Sequence, residues 1–502
     1  MTLWTDGWEF LKVPLGTTYE DACAHKKEFT PVELPHDWLI YDAHNLYEDS
    51  YGWYHKVFEN PLDGGAEGSD GERMMLRFDG VYMDCTVYVN GKAVADWKYG
   101  YTTFDVDVTD QLKKGKNEIL VLVRHQSPNS RWYSGAGIYR NVWTKVCKKA
   151  YLPMDGTYVV VKPRGAATEE NHSFELSITT EVCAQTSAAS ATSAAKDNSG
   201  KGAKGSAPET SNLRVEYEIA EEPLYDFGDS KTESEEHFTK KFAGTWKGAT
   251  WSADVKATEA PAIEALDTAT KANAAADTAT SESDANTACA GTANASASLR
   301  TVIENPALWD MKSPYCYRLT IKLFDGEELL DWQTETIGFR SIGFTPSEGL
   351  FLNGRTVKIQ GVCEHHDLGC LGAAFHKKAL ERQFTILREM GANSIRTSHN
   401  PPAPEFMELC DRMGFLVDAE CFDMWERSKT TYDYARFFKD WAQRDVRSWV
   451  RRDRNHPSVF LWSIGNEIYD THADAHGEEI TKRLMEYVRE NDPEGNAQVT
   501  IA

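Results

Sequence analysis

From about residue 343 onward the sequence alternates short apolar strands with amphipathic helices, and four successive strands end in clusters of ionisable side chains. Nothing else in the chain restricts the fold as much. Residues 356–362 read as a strand. Residues 377–390 read as a helix, with Leu380, Phe384 and Leu387 on one face and Gly391 as its stop. Residues 392–397 form the next strand, and 404–413 a helix with Phe406, Leu409 and Met413 in register, closed by Gly414. A third strand at 415–419, a long helix at 435–453, a fourth strand at 459–464 and a helix near 473–490 follow, and Gln498-Val499-Thr500-Ile501 begins a fifth strand. Units of this kind build a parallel sheet, either doubly wound or closed into a (β/α)₈ barrel. No glycine-rich phosphate turn follows the first strand, which favours the barrel.

The polar clusters are Glu364-His365-His366-Asp367, then Arg396-Thr397-Ser398-His399-Asn400-Pro401, then Asp418-Ala419-Glu420-Cys421-Phe422-Asp423, and finally Gly465-Asn466-Glu467. In a barrel the C-terminal strand ends converge on one mouth, where catalysis sits. Each cluster taken singly has an ordinary explanation: a carboxylate after a strand commonly caps a helix, as Asp367 could. Adjacent histidines point to opposite sides of a strand, so only one of His365 and His366 can face the mouth. Orienting a ligand suits His365 and His399 better than holding a metal. Arg396, on a strand of buried character, needs an acidic partner, as a structural ion pair or a substrate clamp. Glu467 stands apart, because the apolar run Phe460-Leu461-Trp462-Ser463-Ile464 delivers it and Asn466 side by side. Partial desolvation there would favour the neutral carboxyl that a general acid requires.

At 502 residues the chain exceeds one hydrophobic core, and about three domains are expected. Residues 1–147 read as all-β. The alternating run Cys85–Val89 meets an Asn90-Gly91 turn, and the near-continuous Ile119-Leu120-Val121-Leu122-Val123 implies cover on both faces, as in a sandwich. Residues 148–342 are again β-rich, with strands near 157–162, 173–180, 213–219 and 315–324. Two tracts rich in Ala, Ser and Thr, near 184–211 and 253–298, are expected as surface insertions, since they lack the apolar surface to offset their ordering entropy. The first contains Gly200-Lys201-Gly202-Ala203-Lys204-Gly205, which has no strand before it and no helix after it, so dinucleotide binding is not expected.

A formal net charge of −23 argues against nucleic acid, an anionic membrane surface or a strongly polyanionic substrate, and a neutral sugar fits it best. The 15 tryptophans are compatible with stacking on sugar rings. No apolar segment approaches membrane-spanning length, no basic-then-apolar leader opens the sequence, and ten scattered cysteines read as free thiols. A cytoplasmic protein is the expectation.

The sequence resembles glycoside hydrolase family 2, and within it the β-galactosidases, over essentially the whole chain apart from the two insertions. The residues that carry the likeness are Leu34-Pro35-His36-Asp37-Trp38, Ser134-Gly135-Ala136-Gly137-Ile138-Tyr139-Arg140, and Asn353-Gly354 leading to Gly361-Val362-Cys363-Glu364-His365-His366-Asp367. They continue with 391–401, Arg454-Asn455-His456-Pro457-Ser458 and Trp462-Ser463-Ile464-Gly465-Asn466-Glu467. The resemblance implies a jelly-roll-like sugar-binding sandwich (1–147), an immunoglobulin-like sandwich (148–342) and the first half of a catalytic (β/α)₈ TIM barrel (343–502). It implies a retaining exo-β-glycosidase working by double displacement, with Glu467 as general acid/base and Asn466 on the sugar 2-hydroxyl. His365 and His399 are placed near the sugar, with Arg396 in support.

Two departures follow. The family nucleophile is a Glu at the end of the seventh barrel strand, so no residue of this sequence receives that role. Glu420 and Asp423, on the third strand, would be misplaced for it, and the 502 residues alone are expected to lack turnover and to leave strand edges open to pairing. Some family members also bind magnesium through a Glu and a His after the third strand. Asp423 and Trp425 stand at about those positions here, and no metal or other cofactor is expected. The implied partner is a β-linked galactoside, with self-association possible in principle. The competing expectations are a β-glucuronidase or another exo-acting family member and, outside enzymes, a carbohydrate-binding protein.

Overall fold

The structure is a computed structural model, and it describes residues 1–63, 71–165, 172–184, 212–225, 247–257 and 294–502. Both low-complexity tracts lie mainly outside these residues, as does the Gly200–Gly205 motif.

The N-terminal part is two antiparallel sheets packed face to face. One runs, in spatial order, Thr30–Val32, Trp8–Val13, Ser50–Glu59, Lys116–His125, Cys85–Val89 and Lys92–Trp97. The other runs Thr2–Leu3, Val142–Cys147, Arg73–Phe78 and Phe104–Asp107. The continuous apolar run at 119–123 now has its reason. Ile119, Val121 and Val123 face the inter-sheet core, whereas Leu120 and Leu122 pack outward with Trp53, Phe29 and Ala22 of the helix Tyr19–Ala24. Asn90 (φ 49°) and Gly91 (φ 89°) make the left-handed two-residue turn that the right-handed strand twist demands.

The second sandwich is built on alternation along its central strands. Phe174, Leu176, Ile178 and Val182 of Ser173–Ala184 face Val215, Tyr217 and Ile219 of Leu213–Glu221 and Leu319, Ile321 and Leu323 of Tyr317–Asp325. One expectation fails here. Residues 295–298, assigned to the second insertion, open the strand Ala295–Glu304, which pairs antiparallel with Ser173–Ala184. Ala295 and Ala297 are buried while Ser296 and Ser298 point outward. The alternation is real, but methyls and hydroxyls carry it, and the large side chains of neighbouring strands fill the core. Gly248–Asp254 is likewise a strand, on the edge of the opposite sheet.

The C-terminal part is a parallel sheet in the order Gly361–Glu364, Ser394–Thr397, Leu416–Glu420, Val459–Ser463, Gln498–Thr500. Sequence order equals spatial order throughout. A doubly wound sheet must reverse direction at a switch point, so this progression is that of a barrel wall. Helices Lys377–Glu389, Pro404–Met413, Ala435–Asp453 and His476–Asn491 connect the strands. Gly414 ends the second helix at φ 74°, and a Cβ there would stand 2.3 Å from the carbonyl oxygen of Met311. The expected first strand is displaced, because Arg355–Thr356 belongs to an antiparallel sheet with Gly349–Leu352 and Ile342–Thr345. Leu350 and Leu352 of that sheet pack with Leu416, Phe460 and Trp309, closing the N-terminal end of the barrel wall.

The first sandwich docks on the barrel through the sequence signatures themselves. The Arg140 guanidinium is buried and donates to the carbonyls of Tyr101 (2.8 Å), Pro401 (2.8 Å) and Pro402 (3.0 Å). Asp37 accepts from the Tyr133 hydroxyl at 2.5 Å and from the backbone N–H groups of Ala136 and Ala373. These contacts fix the loop that carries residues 129–134 over the barrel mouth.

Candidate active site

The polar ends of the second, third and fourth barrel strands form one hydrogen-bonded constellation. Glu420, fully buried at the end of the third strand, is its anchor. Its Oε2 accepts from Arg396 Nη2 (2.6 Å) and Nε (3.0 Å) and from Ser463 Oγ (2.6 Å). Its Oε1 lies 2.6 Å from His399 Nδ1. A buried carboxylate is tolerated only when paired and hydrogen-bonded, and here both oxygens are used. Arg396 Nη2 reaches on to Asn466 Oδ1 at 3.0 Å, and Asn466 Nδ2 donates to Asp423 Oδ1 at 2.8 Å. Asn466 is therefore locked between a cation and an anion, which fixes which way its amide points.

His365 and His399 lie side by side, ring centroids 5.4 Å apart at 89°, and Trp132 from the first sandwich packs on both at 5.1 and 4.6 Å. Burial, helped by the neighbouring His399, pushes the His365 pKa below that of a free imidazole. His366 points the other way, half-buried against Tyr101 and Tyr139 with Nε2 3.0 Å from the Ser134 carbonyl. The two histidines thus divide between mouth and domain interface, as opposite faces of a strand require.

Glu467 departs from expectation. Its side chain is 66% exposed. The carboxyl is held below the usual range by a hydrogen bond and charge from Arg131, whose Nη1 donates to Oε2 at 2.9 Å. The desolvated, neutral acid read from the sequence is not what the structure shows. The backbone is also unusual: Glu467 sits at φ 46°, a region that costs a non-glycine residue about 1 kcal/mol or more.

Asp423 accepts from Arg131 Nη2 (2.8 Å), Lys429 Nζ (3.0 Å) and Asn466. Burial works to raise its pKa, but these donors overcome that and hold it below the ordinary value. The residue pair expected near a metal does not fit one. Asp423 is already satisfied by two cations, and the Trp425 indole offers no lone pair, its Nε1 donating to the Ile464 carbonyl at 2.8 Å. Among the described residues no cluster of three or more His, Cys, Asp or Glu side chains could hold a metal ion.

All five residues singled out from the sequence (Glu467, Asn466, His365, His399, Arg396) therefore meet at one barrel mouth. Sequence reasoning missed Arg131, Trp132 and Lys429. The first two lie three and two residues before the Ser134–Arg140 signature, which was their only local sign. Lys429, with a fully buried side chain that also donates to the Asn466 carbonyl at 2.6 Å, carried none.

Comparison with known proteins agrees with this fold. Three family models match: the sugar-binding domain of glycosyl hydrolases family 2 over residues 9–146, the family 2 central domain over 237–340, and the family 2 TIM barrel domain over 346–498. The chain is 34% identical over 464 residues to the beta-galactosidase BoGH2A of Bacteroides ovatus, covering 90% of this chain and 44% of that protein. It is 29% identical over 475 residues to a putative beta-glucuronidase of Formosa agariphila, covering 92% of this chain and 36% of that one. The crystal structure of a beta-glycosidase from Bacteroides vulgatus superposes with a TM-score of 0.72 at 27% identity, covering the whole of this chain and 54% of its own. The chain thus spans less than half the length of the two sequence relatives. No helix among the described residues is long and apolar enough to cross a membrane. With three consecutive family models matched and a barrel mouth built from their signature residues, the chain belongs to glycoside hydrolase family 2.

Proposed function

We propose that the protein carrying this chain is a retaining exo-β-glycosidase that hydrolyses terminal β-galactosides. The observation that carries the reading is the pairing of Glu467 with an immobilised Asn466 at the end of the fourth barrel strand. A carboxyl and an amide side by side suit one task, protonating a glycosidic oxygen while gripping the hydroxyl beside the reacting carbon. In the first step Glu467 gives its proton to the leaving oxygen as a carboxylate attacks the anomeric carbon. In the second it takes a proton from water that attacks the glycosyl-enzyme. The geometry of the third strand argues against either of its acids as attacker, since Glu420 and Asp423 are saturated by fixed donors. We place the nucleophile in the barrel portion beyond the fifth strand, as the family resemblance implies. The same reading assigns residues 1–147 to sugar binding, 148–342 to the immunoglobulin-like domain and 343–502 to the barrel, and the first boundary is supported by the strand pairings on either side of it.

A β-glucuronidase is the second reading, favoured by the names of four relatives and by two cations near Glu467. Arg131 and Lys429 are, however, paired with Asp423 and, for Arg131, with Glu467, so neither stands free for a sugar carboxylate while Glu467 is ionised. The deciding experiment is hydrolysis of a nitrophenyl β-galactoside and the matching glucuronide, by this chain and by the protein extended through eight barrel units. Galactoside turnover with retained anomeric configuration in the extended protein supports the proposal. Preference for the glucuronide selects the second reading, and binding without turnover of either selects a lectin.

A further inference from the structure

The barrel does not build its mouth alone. The dipeptide Arg131-Trp132, on a loop of the first sandwich, reaches across the domain interface to the acids of the third and fourth strands. The Arg131 guanidinium forks: Nη2 donates to Asp423 Oδ1 at 2.8 Å, Nε lies 3.4 Å from Asp423 Oδ2, and Nη1 donates to Glu467 Oε2 at 2.9 Å. Its back is covered by the Trp132 ring, with Cζ 4.4 Å from the centroid, and that ring is itself wedged against His365 and His399. A planar cation held by an aromatic face on one side and a buried carboxylate on the other has few conformations left to lose. The free arm of the fork points at Glu467.

We propose that Arg131 is a positioning residue for Glu467, supplied by the sugar-binding sandwich, which sets both the direction of the acid/base carboxyl and its readiness to give up a proton. The inference rests on the reading of Glu467 as acid/base. Its physical content is specific. Asp423 and Trp132 fix the guanidinium, and Glu467, otherwise exposed on a left-handed backbone, takes its orientation from it. The charged groups that face Glu467 are Arg131 and Lys429, which favour its ionised form, and Asp423, which opposes it. Arg131 is first among them, because it alone also donates a hydrogen bond. When Glu467 acts as a base toward water, Arg131 holds the carboxylate in place. When it acts as an acid, the contact must loosen as the proton arrives, because a neutral carboxyl binds a guanidinium weakly.

The test separates this proposal from the function it builds on. The Glu467 carboxyl is titrated by ¹³C NMR in the 502-residue chain, with Glu467→Gln to assign the signal, in wild type, Arg131→Met and Arg131→Lys. Thermal unfolding of each variant checks folding, and Arg131→Lys, which keeps a cation, guards against a misfolded methionine variant. We expect the Glu467 titration to rise in Arg131→Met and to stay near wild type in Arg131→Lys. In the extended enzyme, the basic limb of kcat/KM should move to higher pH in Arg131→Met alone. A Glu467 titration unchanged by Arg131→Met overturns the proposal, whatever the enzyme hydrolyses. A titration that moves in a protein with no glycosidase activity supports the positioning role and overturns the acid/base assignment instead.

Discussion

Nη2 of Arg396 lies 2.6 Å from Glu420 Oε2 and 3.0 Å from Asn466 Oδ1, so a single guanidinium nitrogen ties the buried anchor of the site to the amide beside the proposed acid/base, Glu467. Arg396, His399 and, through Arg396, Asn466 thereby share one buried acid as their common anchor.

That arrangement makes Glu420 the most sensitive position in the mouth. Glu420→Ala would leave Arg396 and His399 without their partner in a buried setting, which costs about 3–5 kcal/mol when one member of such a pair is removed. Denaturant unfolding should show that loss. Glu420→Gln, which keeps the shape and part of the hydrogen bonding, should lose less. A Glu420→Ala protein as stable as wild type would mean the network is not the structural anchor proposed.

His456 gives the barrel a pH dependence of definite sign. Burial works to lower its pKa, but Asp411, with Oδ2 2.6 Å from Nδ1, outweighs that and raises it to about 9 from 6.5. The folded state therefore favours the protonated ring. The stabilisation is fully present below pH 6.5 and is lost as the pH climbs toward 9. Unfolding free energy measured across that window should fall, and His456→Gln should flatten the slope while lowering stability at pH 6. An unchanged slope in the variant would contradict the assignment.

Because Arg131 and Lys429 already neutralise Asp423, chelation should leave glycosidase activity of the extended protein intact. The check is kcat/KM before and after exhaustive treatment with EDTA. A loss restored by magnesium would show that the cations yield to a metal.

The sequence carried the barrel units well because a helical face such as Phe406, Leu409 and Met413 is a local, periodic property. The first barrel strand was displaced for an equally local reason. Asn353 (φ 51°) and Gly354 (φ 74°) turn the chain back, so that Arg355–Thr356 pairs with the strand before it. The strand Ala295–Glu304 was hidden because its buried side chains at the start are methyls, which composition reads as low complexity. Arg131 was hidden for another reason: its partners Asp423 and Glu467 lie 292 and 336 residues away, and no spacing rule reaches that far. The expectation of a desolvated acid at Glu467 failed because burial and charge depend on neighbours, here Arg131, that a strand's own sequence does not contain.

The most direct test of Glu467 as acid/base compares wild type with Glu467→Ala in the extended protein, on a dinitrophenyl and a methyl β-galactoside, with and without azide. A departing dinitrophenolate needs no proton, whereas methoxide does. The account predicts a loss of about 10²–10⁴-fold on the methyl galactoside and far less in the first step on the dinitrophenyl substrate. Azide, which attacks without base assistance, should restore turnover and yield a β-galactosyl azide. Equal losses on both substrates, with no azide product, would contradict it and move the proton-transfer role to another residue.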